Sequence, residues 1–228
     1  MTKTKSIILL SGGLDSLVSL AMCYKTYNIN LALTFDYGQK SLEKEIDASK
    51  KLSEFYNLEH KIIKLDWLKA ISTSSLNTED EVPFFNENEI DNIEISQNTA
   101  NSVWVPNRNA LFINIAASIA EALNCTHIII GANKEEGATF KDNSKSFIDA
   151  INNSLLNSTQ KNVQVIAPLI DYDKNQIIEK GIKNNAPLEL VHSCYKNEKK
   201  HCGTCESCIR LKRALKLNNQ IELISKLF

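Results

Sequence analysis

The sequence predicts an α/β fold built on a parallel five-stranded sheet. Three observations predict it: apolar, β-branched runs alternate with helix-periodic stretches, a glycine turn follows the first run, and no internal repeat breaks the alternation. The runs at residues 6–10, 31–35, 60–65, 126–130 and 163–167 are the expected strands. Helices are expected over 15–27, 41–56, 108–123, 145–158, 174–184 and 206–217. Crossovers between parallel strands are right-handed, and a ligand crevice opens at the carboxyl ends of the strands where their order reverses, here between the first and the fourth. Site residues should therefore come from loops that follow strands.

The chain has 228 residues, enough for one large domain or one domain with a small appendage. Its 26 Lys and Arg against 27 Asp and Glu leave a net charge of −1, which supplies no global attraction to nucleic acid. No stretch approaches the roughly 20 apolar residues that span a bilayer. Met1-Thr2-Lys3-Thr4-Lys5 runs straight into the first strand without an apolar signal region, so a cytoplasmic protein with a small-molecule substrate and no membrane partner is expected.

The first strand ends in Ser11-Gly12-Gly13-Leu14-Asp15-Ser16. Two glycines let backbone N–H groups approach an anion closely, and the hydroxyls and helix N-terminus add donors and partial positive charge. This is a pyrophosphate-binding pattern. It lacks the Gly-Lys-Ser/Thr of the Walker loop and the Gly-x-Gly-x-x-Gly of dinucleotide folds. The nucleotide-binding stretch is expected to comprise Leu10, Ser11, Gly12, Gly13, Leu14, Asp15, Ser16, Leu17, Val18, Ser19 and Leu20. The loop resembles that of ATP pyrophosphatases, which cleave ATP between the α and β phosphates and transfer AMP to a substrate oxygen. An ordinary strand-to-helix turn capped by Asp15 is the alternative.

After the second strand come Asp36-Tyr37-Gly38-Gln39, where adenosine or substrate contacts are expected or, as readily, a strand-end turn. The third strand gives way to the polar, acidic segment 66–105, with Ser72 to Ser75 and then Asp80, Glu81, Glu87, Glu89, Asp91 and Glu94. So long a loop is a functional lid or a solvated excursion. Val105-Pro106 then favours an extended approach to Asn107-Arg108-Asn109, and Arg108 opens the next helix. Its planar fork suits a carboxylate or phosphate; a surface salt bridge is the competing role. Gly131 follows the fourth strand and Pro168-Leu169 the fifth. Lys174, at the start of the next helix, is expected to be solvated or to meet phosphate.

Cys23 and Cys125 fit the core, whereas Cys194, Cys202, Cys205 and Cys208 crowd together near the C-terminus. Four soft ligands suit tetrahedral zinc and leave no position for a metal-bound water, so the ion would be structural. Gly203 permits the tight turn, and Lys199, Lys200, Arg210 and Lys212 would offset the charge of a zinc tetrathiolate. His192 and His201 are rival ligands.

In order and spacing, residues 11–16, 36–39, 105–109, Gly131, 168–169 and Ser193-Cys194-Tyr195 through Cys208 resemble the 7-cyano-7-deazaguanine synthase family. The resemblance implies a Rossmann-like, adenine nucleotide alpha hydrolase-like domain over 1–190 and a zinc-binding lobe over 191–228. It implies a ligase that converts 7-carboxy-7-deazaguanine and ammonia to the nitrile with ATP, in queuosine biosynthesis, and a homodimer with one zinc. Direct tRNA binding is not expected. Asp15, Ser16 and Arg108 would be catalytic, with Asp15 a candidate magnesium ligand. Asp36, Tyr37, Gln39, Arg108, Asn109, Glu136 and Asp142 would bind substrate. After Gly131 the family commonly shows Asp and then Tyr-Ser-Gly-Tyr-Pro-Asp-Cys-Arg, where this chain has Glu136 and then residues 137–144, with only Asp142 unchanged. Gln39-Lys40-Ser41 stands where the family usually has Gln-Arg-His. A related enzyme that joins the same activated carboxylate to a protein amine is the alternative; a tRNA-thiolating pyrophosphatase or a non-catalytic nucleotide-binding module fits the chain less well.

Overall fold

The computed structural model describes residues 3–84, 86, 90 and 99–228. Five strands, β1 (Lys5–Leu9), β2 (Asn28–Asp36), β3 (Glu59–Lys64), β4 (His127–Ile129) and β5 (Gln164–Ile166), form one parallel sheet in the order β3-β2-β1-β4-β5. The order reverses between β1 and β4, as expected. Register is set by Ser6 opposite His127 and Ile8 opposite Ile129 on one side, and by Ile8 opposite Ala32 on the other.

The sheet is flanked by helices α1 (Leu14–Cys23), α2 (Leu42–Phe55), α3 (Asp66–Ile71), α4 (Arg108–Ala122), α5 (Lys134–Thr139), α6 (Lys145–Ser158), α7 (Lys174–Lys183), α8 (Glu206–Leu217) and α9 (Ile221–Leu227), and residues 99–103 are helical as well. The short helices α3, α5 and α9 were not expected. Six or seven residues show too little of a 3.6-residue period to be read.

Successive side chains on a strand point to opposite faces. Ile7 accordingly joins Leu31, Leu33, Ile113, Ile128 and Leu155 on the α3, α4 and α6 face. Ile8 joins Leu17, Leu52, Ile129, Ile177 and Leu215 on the face covered by α1, α2, α7, α8 and α9. Burial on both faces is why the strands read as continuous apolar runs rather than alternating ones. Helix α8 thus anchors the C-terminal segment in the main core, while Cys194, Cys205 and Cys208 form a small cluster of their own with Val82, Tyr195, Cys202 and Phe228 around them.

The described parts of segment 66–105 fold onto the domain. Ser72, Ser74 and Ser75 are buried, Lys40 N donates to Leu76 O at 2.8 Å, and Ser75 N donates to Ser102 O at 2.7 Å. Glu87, Glu89, Asp91 and Glu94 lie outside the described residues.

Candidate active site

β1 delivers the chain into the crevice, and Leu10 N still donates to Leu33 O at 2.8 Å. The backbone then turns at Gly12 with φ +85°; a Cβ there would stand 2.8 Å from Ala48 Cβ and 2.9 Å from Glu45 O. Only glycine fits. Gly131, just beyond β4, allows the loop to seat from the other side, since a Cβ would come within 2.8 Å of Ser16 N. Hydroxyls brace the turn: Gly13 N donates to Ser11 Oγ at 3.3 Å, Ser11 and Ser16 Oγ lie 3.2 Å apart, and Ser16 Oγ donates to Gly13 O at 3.0 Å.

The N-cap of α1 is Gly13, which has no side chain to offer, and Asp15 sits in the first turn. The capping alternative for Asp15 is therefore set aside. Asp15 Oδ2 instead meets Lys174 Nζ at 2.5 Å, and Lys174 also reaches Glu136 Oε1 at 2.8 Å. Lys174 is buried, contrary to a solvated role. Burial pushes the Asp15 carboxyl up to about 6 against the pull of Lys174, with Glu136 pushing the same way as burial. Burial also opposes ionisation of Glu136, but Lys174 outweighs it and holds that carboxyl below its ordinary range. Asp15 Oδ1 is buried and has no hydrogen-bond partner. An orphaned carboxylate oxygen beside a phosphate-type loop fits a hard cation such as magnesium.

Across the crevice Asn107 adopts the left-handed conformation, φ +54°, and turns Arg108 inward. Arg108 Nη1 donates to Tyr37 Oη at 3.2 Å, and the guanidinium carbon lies 5.7 Å from the Tyr37 ring centroid. Among the described residues no carboxylate lies within ion-pair distance of it, so the surface salt bridge is not what forms. Asn109 Nδ2 donates to Asp142 O at 3.1 Å. Burial raises the Asp142 carboxyl despite the attraction of Arg108.

These side chains surround one cavity of about 280 Å³, lined by Leu10, Ser11, Gly13, Leu14, Asp15 and Ser16 and by Tyr37, Gln39, Arg108, Asn109, Glu136 and Asp142. Other expected residues stay out of it. Gly12 packs against α2, Leu17, Val18 and Leu20 are core, and Ser19 Oγ donates to Ile130 O at 3.3 Å. Asp36 Oδ1 accepts from Gly38 N at 3.2 Å, closing a turn. Gln39 lines the cavity with its amide committed to Tyr37 N, Phe35 O and Glu45. Sequence reasoning missed Glu45, which also accepts from Ser41 Oγ at 2.6 Å, and the facing rings of Trp104 and Phe140. Glu45 at i+4 from Ser41 carries no signal that separates it from a solvated helix face.

The Sγ atoms of Cys194, Cys202, Cys205 and Cys208 lie within 4.8 Å of one another, and those of Cys202 and Cys208 are 3.8 Å apart. Tetrahedral zinc with bonds of about 2.3 Å sets sulfurs about 3.8 Å apart. The donor set fits. Backbone N–H groups of Lys196 and Cys202 point at Cys194 Sγ, and those of Thr204 and Cys205 at Cys202 Sγ, all at 3.4 Å. Of the basic side chains expected to offset the thiolates, Lys200 Nζ donates to Ser225 O at 3.1 Å. Arg210 is instead committed to Glu135 and Glu206, and Lys212 lies over the Phe228 ring. The histidines are not ligands: His192 Nε2 pairs with Lys196 O, while His201 Nε2 accepts from Ser193 N and its Nδ1 faces Leu227 O. Cys23 and Cys125 are buried, as expected.

The strand order and the glycine turn after β1 define a doubly wound parallel α/β protein. A 4-thiouridine synthetase solved with RNA and bound ATP shares the fold, with TM-score 0.51 and 22% identity over 98% of this chain and 52% of that one. Within that class, the chain belongs to the QueC family: the profile of queuosine biosynthesis protein QueC matches residues 5–219. It is 46% identical over 217 residues to a 7-cyano-7-deazaguanine synthase of Methanobrevibacter smithii, covering 95% of each chain. A synthase of that name from Carboxydothermus hydrogenoformans is 46% identical over 92% of this chain and 97% of its own.

Proposed function

We propose that the protein is a 7-cyano-7-deazaguanine synthase, an ATP-dependent ligase that turns 7-carboxy-7-deazaguanine and ammonia into the nitrile in queuosine biosynthesis. The observation that carries this is a single cavity onto which both the residue 11–16 loop and Arg108 open, in a chain of the QueC family. A carboxylate is a poor electrophile. Attack of its oxygen on the α phosphate releases pyrophosphate and makes AMP a leaving group, which ammonia displaces to give the amide. A second attack, by the amide oxygen on another ATP, lets AMP depart with that oxygen as two N–H protons are lost, leaving the nitrile.

The protein's part is orientation and charge stabilisation. Ser11, Ser16 and the N-terminus of α1 would hold phosphate oxygens. Arg108, with no carboxylate partner among the described residues, would hold the substrate carboxylate and then face the charge that develops on phosphorus. Lys174 would keep Asp15 and Glu136 together and aligned. Asp15 would hold magnesium, which supplies charge neutralisation on the phosphates when bound. The four cysteines would hold a structural zinc. Residues 191–228 would form the zinc-binding lobe on a nucleotide-binding domain over 1–190, in a cytoplasmic homodimer that does not itself bind tRNA. Among the described residues no helix is long and apolar enough to cross a membrane.

The alternative of conjugation to a protein amine is not favoured, because relatives covering more than nine-tenths of the chain carry the synthase name. Mass spectrometry of a reaction containing the zinc-loaded protein, magnesium ATP, ammonium and 7-carboxy-7-deazaguanine tests the proposal. Nitrile together with AMP is expected. AMP with accumulating amide would move the final acceptor into question, and neither product would remove the synthase assignment.

A further inference from the structure

The cysteine cluster and the phosphate-type loop are three residues of backbone apart. His192 N donates to Gly12 O at 2.9 Å, Ser193 Oγ accepts from Leu14 N at 3.1 Å, and the next residue is Cys194. Leu14 is the first residue of α1, and its cap Gly13 has no side chain. Ser193 therefore takes up one of the unpartnered N–H donors at the start of α1, that of its first residue, from 179 residues away. It lines the cavity beside Gly13, whose Cβ, if it had one, would lie 3.6 Å from Ser193 Oγ. A hydroxyl carries one donor and two acceptor lone pairs. Leu14 uses an acceptor of Ser193; its own O–H remains to donate into the cavity.

The backbone around Ser193 is held from the other side by the same lobe. Ser193 N donates to His201 Nε2 at 3.0 Å, and His201 N donates to Leu227 O at 2.9 Å. Cys194 Sγ in turn accepts from the N–H of Lys196 and of Cys202. A thiolate fixed in a metal site thus fixes residues 192–194, and these fix the loop.

We infer that Ser193 is a positioning residue of the nucleotide site, carried on the cysteine lobe, so that metal held by Cys194, Cys202, Cys205 and Cys208 sets the affinity of the residue 11–16 loop for ATP. The inference rests on the reading of that loop as the nucleotide site and extends it to a residue and a coupling outside the loop. Allosteric coupling of this kind has a defined size, the ratio of nucleotide affinities with and without metal.

The test measures dissociation constants for magnesium and the non-cleavable analogue α,β-methylene-ATP by calorimetry, in the zinc-loaded wild type, the wild type stripped by a chelator, and Ser193→Ala in both states. Metal content and circular dichroism are recorded for each. The loaded Ser193→Ala protein, with one zinc per chain retained, is expected to bind the analogue about tenfold more weakly than wild type, the loss typical of a hydrogen bond to a charged group. Stripping the metal should weaken wild type similarly and add little to Ser193→Ala, and Ser193→Thr should recover most of the affinity. Equal binding by loaded wild type and Ser193→Ala overturns the inference, as does a metal effect of the same size in both. Absence of analogue binding by the loaded wild type overturns the loop assignment itself, a result distinct from either.

Discussion

At the scale of single residues Lys174 stands out, because its one ammonium balances two carboxylates, Asp15 and Glu136. Lys174→Met leaves Asp15 and Glu136 facing each other without a cation. Urea unfolding should show a loss of about 2–3 kcal/mol, less than for a fully buried pair because the Glu136 side chain is 36% exposed. If Asp15 is the magnesium ligand, millimolar magnesium should restore part of that loss in Lys174→Met and none in the double variant with Asp15→Asn. The raised Asp15 carboxyl has its own signature. An acid whose folded-state value lies above its unfolded one contributes stability at low pH and loses it as pH climbs, here through about 6. Glu136, held low by Lys174, has the opposite sign and loses its contribution as pH falls. With Asp15 as the proposed magnesium ligand, only its ionised carboxylate would bind the ion, so the apparent affinity should weaken steadily as pH drops below about 6, by up to about tenfold per unit, and the dependence should vanish in Asp15→Asn. The loop residues were legible because their chemistry is local: strand, glycines and hydroxyls are adjacent in sequence. Lys174 read as solvated because its partners are 159 and 38 residues distant.

At the scale of elements, asparagine does the work usually given to glycine. The chain has only seven glycines. Four helices, α2, α4, α7 and α8, are followed by Asn57, Asn124, Asn185 and Asn219 in the left-handed conformation. Each closes a Schellman motif, as where Asn124 N donates to Glu121 O at 3.1 Å and Cys125 N to Ala120 O at 2.8 Å. Asn124→Ala should cost about 1 kcal/mol in thermal unfolding, whereas Asn124→Gly should be neutral or slightly stabilising. The major helices were legible from their periodicity to within a few residues, and these asparagines mark several of their ends. β2 was set three residues late, at Leu31 rather than Asn28, because its first turn of pairing, Asn28 opposite Lys5, is polar and carries no apolar signal.

At the scale of the whole molecule, the parallel sheet, the reversal of strand order between β1 and β4 and the position of the crevice followed from the alternation of elements and the loop after β1. The coupling of the C-terminal segment to the rest did not, because α8 reads as an amphipathic helix whatever it packs against. Its Leu211 and Leu215 lie in the same core as Ile8 and Leu17. Removal of metal should therefore loosen the cysteine cluster without releasing α8. Hydrogen exchange after chelation is expected to rise most over residues 193–208 and at the N-terminus of α1, while the Leu211–Leu215 stretch stays protected; uniform exchange across α8 would contradict this division of the core.

The pairing of Leu14 with Ser193 also bears on how the molecule comes into being. The hydroxyl that holds the start of α1 is made 179 residues after the helix it serves. The central strand β1 likewise waits for β4 before its second edge is covered. Contacts so distant in sequence are assembled late and slowly. A nascent chain can shape the turn from local sequence alone, yet the start of α1 gains its distant partner only after Ser193 has been made.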